Sequence, residues 1–146
     1  MRDDGNGMTP PRSRTDRGGK NVKLNKREVY GAVIVDIEGQ LVGGLNSDTF
    51  REFIGGLLDT GKKRIIINLA NVRWANSQGV GMLVGARVNT EKAGGELVLA
   101  NVTRKIYNIL SVTRLLLFFT TFDSEKDAIT YFGDLPRTVT TARSVL

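Results

Sequence analysis

From Glu28 onward, short apolar runs alternate with segments of helical periodicity. This predicts an α/β domain with a mixed, mainly parallel sheet of four to five strands and about four helices. Three observations carry the prediction. Aliphatic runs recur at residues 33–35, 65–67 and 97–99. Phe50, Phe53, Ile54, Leu57 and Leu58 recur at i, i+3, i+4, i+7 and i+8, an amphipathic stripe between the first two runs. A polar patch, Asn76-Ser77-Gln78-Gly79, then separates a strand from a second helical pattern.

Taken in order, Val29, Tyr30, Ala32, Val33, Ile34, Val35 and Ile37 read as a strand covered on both faces, since their apolar run is nearly continuous. Gly39 marks a turn, and Gln40-Leu41-Val42 allow a short second strand. Asn46 or Ser47 is placed to cap the first helix, with Asp48 in its first turn and Gly61 at its end. Residues 65–69 form a short buried strand. The next helix begins at Gln78 or Gly79, with Val80, Leu83, Val84 and Val88 facing inward. Its glycines, Gly79, Gly81 and Gly85, each cost about 1 kcal/mol relative to alanine, so a closely packed neighbour is expected to offset them. Gly94-Gly95 close the helix and residues 96–100 form another strand. Thr103 caps a helix carrying Ile106, Ile109 and Leu110, residues 115–119 are a last strand or an apolar loop, and Ser124 with Asp127 opens a final helix to about Phe132.

The 146 residues fit one domain and tails: residues 1–27 as a disordered basic tail, 28–134 as the domain, and 135–146 as a C-terminal tail. The net charge of +6 is concentrated in residues 1–27, where eight Lys/Arg face three Asp, and the remainder is nearly neutral. The tail lacks aromatics for base stacking, so no direct nucleic acid binding is expected. No secretory signal and no membrane-spanning run is visible, which points to a cytoplasmic protein. Cysteine and histidine are both absent. That excludes disulfides, a cysteine nucleophile, the usual neutral-pH base and the commonest metal ligands, so no enzyme, metal or cofactor is expected.

The segment Gly79-Val80-Gly81-Met82-Leu83-Val84-Gly85 mimics a dinucleotide fingerprint, but nine residues separate it from the strand ending at Leu69 and no acidic residue follows to bind a ribose. No phosphate-binding Gly-Lys-Ser/Thr exists. A hydroxyl at a helix mouth has two natural uses. Ser77 either caps the helix or accepts a phosphate that the helix end stabilises. Trp74, just before the loop, reads as a partly buried core aromatic or as a contact residue at a partner surface, with the core reading preferred.

Residues 38–132 resemble the STAS-domain anti-sigma factor antagonists. The family loop D-S-S/T-G-L/V-G corresponds to Asn76, Ser77, Gln78, Gly79, Val80 and Gly81, and its Gly-Gly pair before a hydrophobic strand corresponds to Gly94-Gly95-Glu96-Leu97-Val98-Leu99. The resemblance implies phosphorylation at Ser77 by an anti-sigma factor with serine-kinase activity, reversal by a serine phosphatase, and partner switching that frees a sigma factor. ATP and Mg²⁺ would belong to the kinase. It implies a partner-binding surface of Gln40, Trp74, Asn76, Ser77, Gln78, Gly79, Gly81 and Met82. Three positions depart from the family: Asn76 replaces an acid, Gln78 replaces a hydroxyl residue, and Val42 stands where another acid often follows the first turn. Those departures favour an alternative, a non-phosphorylated STAS binding or scaffold subunit.

Overall fold

A computed structural model describes residues 22–29 and 31–133. The strands are β1 (Val22–Val29), β2 (Ala32–Leu41), β3 (Arg64–Ala75), β4 (Glu96–Ala100) and β5 (Thr121–Phe122). The helices are α1 (Leu45–Asp59), α2 (Ser77–Lys92), α3 (Arg104–Val112) and α4 (Glu125–Gly133), with a 3₁₀ turn at Leu116–Phe118. The sheet order is β1-β2-β3-β4-β5, with β1 antiparallel to β2 and every other pair parallel. The expected α/β architecture is present.

Alternation along the strands divides the molecule into two cores. Val33, Val35, Ile65, Ile67, Leu97 and Leu99 face one side, where they meet Phe50 and Ile54 of α1, Val80 and Leu83 of α2, and Ile106 and Leu110 of α3. Ile34, Ile66, Val98 and Ala100 face the other side, where Ala128 and Phe132 of α4 cover them. A strand order that advances in one direction places its right-handed crossover helices on one face. Only α4, which follows the last strand, is free to fold over the opposite face.

The N-terminal boundary differs from expectation. Residues 22–27, expected in the tail, belong to β1, which pairs with β2 from Val22 opposite Gly39 to Val29 opposite Ala32. Charge hid this strand: only Val22, Leu24 and Val29 are apolar, while Lys23, Lys26, Arg27 and Glu28 are the polar residues an edge strand uses to discourage further pairing. Residues 1–21 of the expected N-terminal tail, Tyr30 of the expected first strand, and residues 134–146 with the whole expected C-terminal tail lie outside the described residues. A hairpin at Gly31 (φ +80°) thus divides the expected first strand, and β2 runs unbroken through Gly39 to Leu41.

Other corrections follow from tertiary context. The residue before α1 is Gly44, without a side-chain cap, and not Asn46 or Ser47. β3 extends to Ala75, twelve residues where five were expected, because β2 continues beside it as far as Leu41 opposite Ala75. In α2, Val88 is exposed and Met82, Ala86 and Thr90 are buried. Residues 115–119 form the 3₁₀ turn and a loop, with Phe119 buried. The caps at Thr103 and Ser124 are as read: Thr103 Oγ1 accepts the Ile106 N–H at 3.4 Å, and Ser124 Oγ accepts the Asp127 N–H at 3.1 Å.

On the second face a polar network ties β1, β2, β3 and α4 together. Arg27 donates to both Asp36 oxygens at 2.7 Å and also pairs with Glu125 of α4. Asn68 Nδ2 donates to Asp36 Oδ1 at 2.7 Å, and Asn68 Oδ1 accepts from Asn101 Nδ2 at 2.8 Å and from the Ala70 N–H at 3.1 Å. The Arg27 hydrogen bonds, with help from Asn68 and against the cost of partial burial, hold the Asp36 carboxyl below the ordinary carboxylate range.

Candidate functional site

The site is built where β2 and β3 end side by side. Gln40 lies opposite Trp74 and Leu41 opposite Ala75, and the Asn76 N–H donates to the Leu41 carbonyl at 3.2 Å. Asn76 is extended (φ −128°, ψ −176°), and its Oδ1 accepts the Gly79 N–H at 2.9 Å. Its own carbonyl accepts the first helical bond, from Val80 N–H at 3.0 Å. Asn76 is therefore the cap of α2, which resolves the choice between two uses of the loop hydroxyl as far as capping goes: Ser77 does not cap. It is the first helical residue and is exposed, and among the described residues nothing hydrogen-bonds its hydroxyl.

Two glycines make this geometry possible. A Cβ on Gly79 would stand 1.7 Å from the Leu41 carbonyl oxygen, so α2 can start against the end of β2 only with glycine there. Gly43 (φ +87°) lies against Gln78, whose Cβ would be 2.9 Å from an added Cβ. The loop after β2 thereby braces the first turn of α2. Sequence reasoning missed Leu41 and Gly43 as parts of the site; the Gly43-Gly44 pair was the available signal. By contrast, Gly81 and Gly85 have open space where a Cβ would be, so the packing expected to offset them is absent.

The predicted surface divides accordingly. Trp74 is 56% exposed, which overturns the preferred core reading and leaves the contact reading. Asn76 and Gln40 are half-buried, and Ser77, Gln78 and Gly81 are exposed. Gly79 and Met82 are buried, so they shape the surface and do not form it. Met82 instead helps floor a groove of about 200 Å³ between α1 and α2, together with Phe50, Ile54 and Ala86, with Ser47, Arg51 and Gln78 at its rim.

The chemistry available is limited. The loop places an exposed hydroxyl at the positive end of a sixteen-residue helix, where an added anion is tolerated. The strand extension to Ala75 removes the spacing argument against a dinucleotide loop. Even so, the close approach that Gly79 permits is taken by this chain's own Leu41 carbonyl, and no room is left there for a ligand's phosphate. Among the described residues no three acidic side chains gather to hold a metal, and no helix is long and apolar enough to cross a membrane.

Fold and site together define a small α/β domain with an exposed serine at the start of a helix. The chain belongs to the STAS domain family, whose model matches residues 23–128. It is 23% identical over 111 residues to an anti-sigma F factor antagonist of Paenibacillus polymyxa, spanning 75% of this chain and 94% of that one. Among solved structures it is similar to an anti-sigma factor antagonist from Mycobacterium paratuberculosis, with a TM-score of 0.68 at 17% identity over 79% of this chain and 97% of the other. It also resembles the Bacillus cell fate determinant SpoIIAA in its phosphorylated form, with a TM-score of 0.58 at 21% identity over 75% of this chain and 97% of that one.

Proposed function

We propose that this chain is a cytoplasmic anti-sigma factor antagonist controlled by phosphorylation of Ser77. In the unmodified state, the surface around Ser77, Gln78 and Trp74 binds an anti-sigma factor that is also a serine kinase, and a sigma factor is released. Transfer of the ATP γ-phosphoryl group to the Ser77 hydroxyl, within the kinase's own active site, ends that binding. Hydrolysis by a serine phosphatase restores it. The chain is a substrate in both reactions and supplies no catalytic group.

The observation that carries the reading is the division of labour between Asn76 and Ser77. Asn76 holds the helix, which leaves the neighbouring hydroxyl exposed and unbonded. A phosphate there adds roughly −1.5 to −2 charges near neutral pH. The helix end tolerates that charge, so the fold persists while a partner packed against the loop meets an anion that it must desolvate. A loss of about 3 kcal/mol lowers affinity more than a hundredfold. The test is incubation with the cognate kinase and ATP followed by intact mass measurement. One added phosphate on the wild type and none on Ser77→Ala supports the switch; an unmodified wild type overturns it.

A second reading keeps the fold and drops the modification. It is favoured by the lack of carboxylates at Val42 and Asn76 and of a hydroxyl at Gln78, which leaves the loop neutral. A constitutive STAS scaffold would bind its partner with an affinity indifferent to ATP and to Ser77→Ala.

A further inference from the structure

Among the described residues five large apolar side chains are exposed, and three of them, Tyr107, Val112 and Leu117, belong to α3 and the turn that follows it. Leu117 is 97% exposed, and its neighbours impose this. Leu115, Leu116 and Phe118 pack against the main core, Phe119 is buried, and the Arg87 guanidinium lies over the Phe118 ring, 4.3 Å from its centroid. The Phe118 N–H donates to the Leu115 carbonyl at 3.0 Å, and the Leu115 N–H donates to the Leu110 carbonyl of α3 at 2.8 Å. A turn anchored on both sides of Leu117, and bonded to the helix before it, leaves that leucine pointing outward. At the end of α3, Val112 is 75% exposed. The charge of this stretch is one-sided: residues 97–122 contain Arg104, Lys105 and Arg114 and no Asp or Glu. All three cations are exposed, and none pairs with an acid among the described residues; Lys105 donates to the Arg73 carbonyl at 2.9 Å. On α2, beside the turn, Glu91 is already paired with Arg87 at 2.7 Å.

We propose that α3 and the turn at Leu116–Phe118 form a docking site for an anionic lipid surface. Leu117 and Val112 enter the boundary between headgroups and acyl chains, and Arg104, Lys105 and Arg114 pair with the lipid phosphates around them. Tyr107, one helical turn from Arg104, brings an amphipathic ring of the kind that settles at headgroup level. Shape and charge both select a bilayer over a protein. A leucine that projects this far needs a receiving surface that yields around it, which a bilayer does anywhere and a protein does only with a matching pocket. Three unpaired cations without an acid suit a uniformly negative surface, whereas protein interfaces deplete unpaired charge at their centres. Each cation near such a surface strengthens binding about fivefold, so the three together account for roughly a hundredfold. The contact needs no spanning helix, in keeping with the absence of one among the described residues, and it does not depend on the reading of Ser77.

The test uses the full chain with vesicles of phosphatidylcholine, with and without phosphatidylglycerol. The sequence has no cysteine, so Leu117→Cys carries a single polarity-sensitive fluorophore, and Glu52→Cys on the exposed side of α1 serves as the control. With phosphatidylglycerol present, the label at position 117 is expected to shift to the blue and brighten at least about twofold, while the label at position 52 stays unchanged; about 1 M salt should reverse the response. Vesicle flotation of unlabelled protein gives a second readout. Combining Arg104→Gln, Lys105→Gln and Arg114→Gln should weaken binding about a hundredfold, and combining Val112→Ser with Leu117→Ser about tenfold. All five side chains are exposed, and an unfolding curve on each variant verifies the fold. Binding that both combinations retain overturns the proposal, because it assigns the vesicle contact to the basic N-terminal segment. Flotation with a silent label at position 117, or equal affinity for vesicles without phosphatidylglycerol, overturns it too. So does a label that responds to the anti-sigma factor and not to vesicles, because that assigns the surface to a protein.

Discussion

Gly79 and the Leu41 carbonyl oxygen touch so closely that a methyl group on Gly79 would stand 1.7 Å from that oxygen. Gly79→Ala must therefore separate the end of β2 from the start of α2 or unwind the first helical turn. A loss on the order of 3 kcal/mol is expected in denaturant unfolding, since the obstacle is backbone and not a movable side chain. Gly81→Ala and Gly85→Ala meet nothing within 4 Å and should stabilise the helix by about 0.5–1 kcal/mol each. Equal effects at all three positions would contradict the close contact.

The cap and the proposed site of modification fall on adjacent residues, so they separate by mutation. Asn76→Ala removes the acceptor for the Gly79 N–H and should cost about 1 kcal/mol. Asn76→Asp keeps that acceptor, adds a negative charge at the helix's positive end, and should be as stable as the wild type or more so. Ser77→Ala, at an exposed and unbonded hydroxyl, should change stability by less than about 0.5 kcal/mol. A large loss on Ser77→Ala, read by thermal unfolding, would mean that the serine holds the fold.

Trp74 is the largest apolar side chain exposed near the loop, and its solvent-facing position gives it little structural work. Trp74→Ala should lower partner affinity by about 2 kcal/mol or more, some thirtyfold, while the unfolding midpoint stays nearly constant. Calorimetric titration with the anti-sigma factor, beside an unfolding curve, measures both. Unchanged affinity would move the contact surface away from Trp74.

Much of this was legible in the sequence because local and tertiary signals agree. The stripe of α1, the buried runs of β3 and β4, and the caps at Thr103 and Ser124 are set by period and by side-chain chemistry. The loop of residues 76–79 was legible as a helix start, but which residue capped it was not, since Asn76 and Ser77 are both good caps and only the position of the Leu41 backbone decides between them. β1 was hidden because Lys23, Lys26, Arg27 and Glu28 look like a charged tail, and their strand character depends on β2 lying alongside. Trp74 was misread because β3 outruns its buried portion, and the length of a strand is fixed by its neighbour more than by its own residues.

Asp36 gives the domain an acid-sensitive joint. Its carboxylate takes two hydrogen bonds from Arg27 and one from Asn68, and they hold its ionisation below the ordinary value of 3.8. A carboxyl depressed in the folded state binds its proton less readily there than in the unfolded chain. Its stabilising effect is therefore complete above about pH 4 and is lost as pH falls from there through the folded-state value. Asp36→Asn should cost about 1–2 kcal/mol at neutral pH, because the Arg27 pairing is partly solvent-screened. The cost should shrink as the pH drops below about 4, since protonation removes the same charge from the wild type. Denaturant unfolding of both proteins across that range measures the difference directly. Parallel stability curves down to the most acidic point would show that the Arg27–Asp36 pair contributes no charge-dependent stability.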